Sequence, residues 1–464
     1  MSSDALVDTT ARATQGWLYD TNAMVKIELL RRPTVPAPIP NSSRDDDEEN
    51  DGPSNGDSVD QDPPAWSFHP VYTYPFYGTD QQIAGYRNPR VVIRSSAASL
   101  VTHVAATYDA KSHEATLDLA QPLLEFLPSD LIHDDVAFAK ALANDTKYTP
   151  PGNVVLEYET ANGVQFQLFE CTVSTHGFPT LYDRLKIFAM YFIEAATPVD
   201  VTDPAWTFYL LYRRHPSSSS AHLPYEFAGL FSTYSFYLFP NRTRKRISQV
   251  LILPPFQRQG HAARIYAHLH CTAMADAQIG ELAVEDPSEA FDVLRDVSDL
   301  RLFLRGPVPG RPDSDRGLAA VPEVDVADSA TIDGELTVAW NPLATRSAPT
   351  LVWGRKHDIL QLCTHSVKQA RVRGLRAFAK LQSRQAERIY EMLVLNEAVP
   401  AGSRRAPPAA FRRMVKARIY RAHKDALEAV ADEEQRKELV HETYLQVLDE
   451  YLGHLRLARR AGVA

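Results

Sequence analysis

Apolar and polar positions alternate along this chain in three regimes. From Phe68 to Tyr86 aromatic side chains crowd a short span, and Arg90 to Arg94 (Arg-Val-Val-Ile-Arg) has the apolar interior of a strand. Leu123 to Leu131 and Asp134 to Ala143 carry helical spacing, and Pro150-Pro151-Gly152-Asn153 then breaks the chain. The middle third alternates strands and helices. Val154 to Tyr158, Val164 to Thr172, Trp206 to Tyr212, Glu226 to Tyr237, Arg246 to Leu253 and Gly280 to Val284 read as strands, and Pro179 to Ala195 and Ala262 to Ala275 as helices. His215-Pro216 followed by Ser217 to Ser220 reads as a surface loop. From Gln369 to Leu395 and from Phe411 to Leu457 the period is helical, with many Arg and Lys.

Two stretches lack any such period. Pro33 to Pro64 combines proline with acidic residues and has almost no large apolar side chains, so burial there cannot offset ordering entropy. Pro307 to Pro349 is rich in Pro, Gly, Ser and Asp and reads as a linker or loop insertion. The expected organisation is an N-terminal α/β domain over 1–150 with a disordered acidic insertion at 33–64. An α/β core over 151–306, a low-order linker over 307–350 and a basic helical domain over 351–464 follow, giving an α+β chain.

Composition alters this picture mainly through charge. With 49 Lys+Arg against 58 Asp+Glu the net charge is −9, but it is unevenly spread. Residues 44–62 hold nine acids and one base, and residues 351–464 hold 22 bases and 13 acids. The rest of the chain is acidic, which disfavours a general nucleic-acid binder and favours a basic partner. The basic C-terminal helices stay open to an acidic contact, or to reading as a solvated face. Cys171, Cys271 and Cys363 lie too far apart for a disulfide framework or a zinc site, so no metal is expected. No signal peptide or apolar run of membrane-spanning length is legible, so an intracellular soluble chain without membrane contact is expected.

The segment richest in chemistry runs from Ser248 to Ala263. A strand ends at Pro254-Pro255, which cannot donate ladder hydrogen bonds and so stop the sheet. Backbone groups near Val250, Leu251 and Ile252 are then available to an extended amide-bearing ligand. The loop Gln257-Arg258-Gln259-Gly260-His261-Ala262-Ala263 opens a helix whose first N–H groups suit a pyrophosphate. Equally, it can be a plain strand-to-helix turn. Gly-Lys-Ser/Thr is missing, which argues against a P-loop.

Further on, Ala283-Val284-Glu285-Asp286-Pro287-Ser288 ends a strand in carboxylates. Asp286-Pro287-Ser288-Glu289 reads as a capping box with Asp286 at the cap and Pro287 at the first helical position. Glu285 has no such duty and can act as a base; Ser288 can serve the helix start or touch a cofactor. Glu194, near a helix end, is either a solvated or capping residue or a catalytic one. His261 reads as a loop or helix-start residue and not as a base.

Gln249 to Ala263 together with Ala283 to Ser288 resembles the catalytic subunits of type B histone acetyltransferases, within the GNAT superfamily. Phe76-Tyr77-Gly78, Gly85-Tyr86, Phe192-Ile193-Glu194-Ala195-Ala196 and Lys380 to Glu391 extend the resemblance over most of the chain. It implies a GNAT fold, a mixed central sheet flanked by helices, and acetyl-CoA as co-substrate. Val250, Leu251 and Ile252 would pair with the pantetheine arm and Gln257 to Ala263 wrap the pyrophosphate, Ala262 standing where glycine is usual. It also implies Glu285 as general base, Glu194 and Asp286 as supporting carboxylates, and Asp80, Gln81, Tyr234, Ser235 and Phe236 near the histone tail groove. Free, newly synthesised histone H4 is the implied substrate, a WD40-repeat histone chaperone the implied partner, and cytoplasm and nucleus the implied location. Two alternatives compete: a GNAT enzyme acting on another amine, and a non-catalytic histone-binding scaffold, which would bind histone without acetyl-CoA.

Overall fold

The computed structural model describes residues 17–32, 65–113, 115, 117–216, 223–304, 359–399 and 405–460. The low-order stretches expected at 33–64 and 307–350 lie outside them, as does Ser217 to Ser220. The chain forms two compact units, the first of residues 1–234 and 248–259 and the second of residues 235–247 and 260–464.

Among the described residues the first unit holds two larger sheets, beside two short two-stranded ones. In the four-stranded sheet, β1 (Val25–Leu30), β2 (Ala65–Phe68), β3 (Arg90–Ser96) and β4 (Thr102–Thr107) stand in the order β2-β1-β3-β4, with β1 and β3 parallel. Helix α1 (Asp135–Asn144) begins at Asp134, whose carboxylate accepts from the Ala137 N–H at 2.7 Å. It buries Phe138 and Leu142 against Leu30, Ala98 and Val101. No α-helix covers Leu123 to Leu131; a 3-10 turn at Gln121–Leu123 stands at its start. Pro128 lies within this run and cannot supply the N–H that a continuous helix needs there.

The larger sheet of this unit contains β5 (Asn153–Glu159), β6 (Gln165–Thr172), β7 (Trp206–Arg214), most of β8 (Tyr225–Leu238) and the end of β9 (Arg242–Ile252), each beside the next. β6 and β7 read as continuous apolar runs because Phe166, Leu168, Phe208, Leu210 and Tyr212 are all buried. Helix α2 (Phe178–Phe192) lies on this sheet, with the Phe178 and Phe208 rings 4.5 Å apart. At Gly229 on β8 an added Cβ would fall 2.5 Å from the Leu251 carbonyl oxygen, so only glycine permits this approach.

In the second unit the first part of β9 pairs in parallel with β10 (Ile279–Val284), from Thr243↔Ile279 to Ile247↔Val284. Helix α3 (His261–Ala275) connects them, as a parallel crossover requires. Then come α4 (Glu289–Leu304), α5 (His365–Ala379), α6 (Ser383–Ala398), α7 (Ala409–Ala422) and α8 (Glu433–Arg459). The helical run expected from Gln369 to Leu395 is two helices, divided at Lys380, whose φ of +54° no helix continues. That expected from Phe411 to Leu457 is also broken, with a short helical turn at Lys424–Glu428 between α7 and α8. Their common core includes Leu300, Leu375, Ile389, Leu393, Phe411 and Tyr451. The mixed sheets, crossover helix and helical end make this an α+β fold. Among the described residues no helix is long and apolar enough to cross a membrane.

Candidate active site

Strand alternation builds the centre of the site in the second unit. Arg244 and Arg246 lie two apart on β9 and so share a face, and each meets a carboxylate from β10 or its end. Arg244 Nε stands 2.7 Å from Glu281 Oε1, and Arg246 Nη2 stands 3.0 Å from Glu285 Oε1. Glu285 is the first residue past β10, and its own N–H still donates to the Ile247 carbonyl at 2.9 Å, so its backbone is fixed by the sheet. Its side chain is 36% exposed, enough to meet a substrate. The Arg246 guanidinium in turn lies over the Phe236 ring at 4.6 Å. A ring, a cation and a carboxylate thus form one stack.

The start of α4 differs from the expected capping box. The helix begins at Glu289, so Ser288 occupies the cap, and its hydroxyl accepts from the Phe291 N–H at 3.4 Å. Asp286 instead takes a positive φ of +31°, which is not the extended conformation of a cap, and is exposed. Pro287 thus precedes the helix and Asp286 has no capping duty. With Asp286 turned out of the extended region, the next side-chain oxygen able to accept, that of Ser288, takes the position.

Gly260 ends the loop ahead of α3 with φ +82°, and nothing stands within 4 Å of where its Cβ would be. No side-chain cap hydrogen bond is formed at the start of this 15-residue helix. The positive end of the helix dipole favours an anionic group there. His261 is buried at the helix start and its pKa is lowered to about 4, first by burial and then by Arg264, so it is a neutral imidazole at physiological pH.

In the first unit, β9 ends at Ile252 and Pro254-Pro255-Phe256 forms a 3-10 turn, as the prolines predict. Leu251 is buried and Val250 and Ile252 are half-buried. Gln257, Arg258 and Gln259 are exposed; Gln257 donates to the Ile252 carbonyl at 2.9 Å and Gln259 to the Pro255 carbonyl at 3.0 Å, while Arg258 takes φ +63°. Glu194 lies exposed in the turn after α2. The Val71 and Tyr72 N–H groups both donate to the Tyr191 carbonyl at this helix end, and the Ala195 N–H donates to the Tyr74 hydroxyl at 2.5 Å. The Tyr72 phenol is raised above its ordinary pKa by burial first and by the Glu194 carboxylate second. Gln249 donates to the Thr197 carbonyl at 2.9 Å and Tyr234 to Asp203 at 2.8 Å, which laces β8 and β9 to the segment beyond Glu194.

A family model described as the histone acetyl transferase HAT1 N-terminus matches residues 17–194. A histone acetyltransferase type B catalytic subunit of Mycosarcoma maydis is 30% identical over 83% of this chain and 82% of its own. This chain belongs to the type B histone acetyltransferase catalytic-subunit family. A relative of the same name from Cryptococcus neoformans is 28% identical over 95% of this chain and 98% of its own. The chain is therefore an acetyltransferase, as the resemblance in its loop and carboxylates led us to expect.

Against that family background, the expected site residues divide by surroundings. Glu285, Asp286, Ser288 and Phe236 lie in the second unit with Gly260, His261, Ala262 and Ala263, and Ser235 is half-buried beside Phe236. Val250 to Ile252, Gln257 to Gln259, Glu194, Tyr234, Asp80 and Gln81 lie in the first. Asp80 is exposed, but Gln81 is committed locally: its side-chain oxygen accepts from the Thr73 N–H at 2.9 Å and from Asn22 at 3.1 Å. Tyr234 is committed too, through Asp203 and an edge contact with Trp206 at 4.9 Å. Sequence reasoning missed Arg246, Gln249 and Tyr74. The alternation Arg242-Thr-Arg-Lys-Arg246 was the available signal for the first; the other two act through backbone contacts that leave no pattern.

Proposed function

We propose that this chain transfers the acetyl group of acetyl-CoA directly to lysine side chains of free, newly synthesised histone H4 within a ternary complex. The observation that carries this reading is Glu285, a sheet-anchored and partly exposed carboxylate at the end of β10 in a chain of this family. A lysine amine has an ordinary pKa near 10.4 and needs a proton acceptor before it can attack a thioester. Glu285, directly or through water, takes that proton; Arg246 holds its carboxylate in place; Asp286 and Glu194 add negative charge that attracts a lysine-rich tail.

Acetyl-CoA supplies the acyl group. The loop Gln257 to Ala263 wraps its pyrophosphate, Ser288 touches the cofactor, and Val250 to Ile252 offer backbone groups to its pantetheine arm. Backbone N–H groups stabilise the oxygen that becomes negative during attack. A WD40-repeat histone chaperone is its partner, and the chain works in cytoplasm and nucleus.

Incubating the protein and acetyl-CoA with free H4, with nucleosomes and with unrelated amines, followed by mass-spectrometric mapping, tests this. Lysine acetylation confined to free H4 is expected. Equal modification of nucleosomes, or a preference for non-histone amines, would overturn the substrate assignment.

A further inference from the structure

Helices α5, α6 and α7 of the second unit enclose a cleft of about 330 Å3, at the lower end of volumes that hold small ligands. One wall is a stripe of α5: Lys368, Val372, Arg373 and Arg376 follow the spacing that keeps residues on one helical face, and Lys368 to Arg376 spans about 12 Å at 1.5 Å per residue. Arg421 comes from α7, and Ser383 and Glu387 from α6. Four permanent cations therefore face a single carboxylate. Glu387 is shared: it stands 3.5 Å from Lys368 and 3.8 Å from Arg421. Lys368 leans away to Glu391 at 2.9 Å, and Arg376 lies 3.8 Å from Glu281. That leaves a surplus of positive charge inside the concavity, with Arg373 and Arg421 both exposed.

We propose that this cleft binds a compact, multiply phosphorylated small molecule. Several phosphates match the surplus charge and give each guanidinium a forked acceptor. Among the described residues Val372 supplies the cleft's one large apolar side chain and the His365 imidazole, hydrogen-bonded to Gln369 at 2.8 Å, its one ring, so a base or a drug-like ring finds little to stack upon. A concave site of this volume suits a compact ligand better than an extended strand. The reading does not depend on the proposed acetyl transfer.

Titration calorimetry on the full chain tests it, with coenzyme A present throughout so that its own phosphates do not compete for assignment. Inositol hexakisphosphate, tripolyphosphate and pyrophosphate are the probes, and duplex DNA and polyglutamate the controls. We expect saturable one-to-one binding of at least one small phosphorylated probe, weakening as salt rises, the preferred probe identifying the source of the phosphates. R373E/R421E should weaken it at least tenfold with an unchanged melting temperature. R373Q/R421Q serves the same purpose should charge reversal disturb folding. Failure of all three probes to saturate, binding that survives both variants, or tighter binding of DNA or polyglutamate through the same arginines would each overturn the proposal.

Discussion

Glu285 and Arg246 illustrate how one residue's role depends on another's position. An exposed ion pair contributes only about 0–1 kcal/mol to stability, so Arg246 is better understood as orienting Glu285 than as holding the fold. Glu285→Gln should lower turnover about 100-fold or more while acetyl-CoA binding, measured by calorimetry, stays unchanged. Near-normal turnover would remove Glu285 as the base. Arg246→Ala should lower turnover with little change in melting temperature, and Arg246→Lys should restore part of it. His261 bears on pH at the same scale. Its folded pKa of about 4 lies below the ordinary 6.5, so the stability its neutral form contributes is present above pH 6.5 and is lost as pH falls through 4. His261→Gln should flatten that acid limb in thermal melts followed from pH 7 to 4; an unchanged limb would show that other groups govern it.

Between helices, buried charge decides more than exposed charge does. His270 on α3 uses both ring nitrogens, Nδ1 at 3.2 Å from Asp299 and Nε2 at 2.7 Å from the Ala379 carbonyl, so it must carry both protons. Its pKa is raised despite burial, because the hydrogen bond and charge of Asp299 and the Ala379 carbonyl outweigh desolvation. The sign is opposite to that of His261. This contribution is complete below pH 6.5 and is lost as pH rises through the raised folded value. Melts from pH 6 upward should show this loss in the wild type and not in His270→Gln. Glu391 on α6 is wholly buried and accepts from Lys368 at 2.9 Å, Arg418 at 2.9 Å and Tyr451 at 3.0 Å, joining α5, α7 and α8. Glu391→Ala takes the buried carboxylate from Arg418 and leaves Lys368 only Glu387 at 3.5 Å, and should cost about 3–5 kcal/mol, read as a lowered denaturant midpoint. A cost below 1 kcal/mol would show that the cations find other partners.

Across the whole molecule the charge is segregated: −8 in residues 44–62, +9 in 351–464 and −10 in the remainder. An acidic body raises the encounter rate with a basic histone tail, and salt screens that effect over about 10 Å at 0.1 M. Replacing the nine acids of 44–62 by serine should slow association with H4 at low salt and leave the dissociation rate nearly unchanged, as stopped-flow fluorescence would report. An equal rate at low salt would place the steering charge elsewhere. In the C-terminal part the pairs of Arg388 with Glu450 and of Arg418 with Glu391 are already counted within the +9, and carboxylates from outside the segment offset some of it, Asp296 at Arg388 and Glu281 at Arg376. The cleft of α5 to α7 gathers four of the segment's cations, Lys368, Arg373, Arg376 and Arg421.

Much of the fold was legible because local periodicity and chain breakers are local physics. The strands and helices of the middle third lie within a few residues of expectation, and Pro254-Pro255 end β9 where proline chemistry requires. Gly260 and Glu285 were legible as candidates because a positive-φ glycine and a carboxylate at a strand end are properties of short segments. Tertiary pairing decided what stands beside them. Parallel register brings Arg246 to Glu285, and the turn after Glu285 transfers the cap from Asp286 to Ser288. Lys380 divides one periodic run into α5 and α6, and folding α5 against α6 and α7 then gathers cations distant in sequence into one cleft. Sequence spacing determines which face a residue occupies; only the packing of one face against another determines its partner.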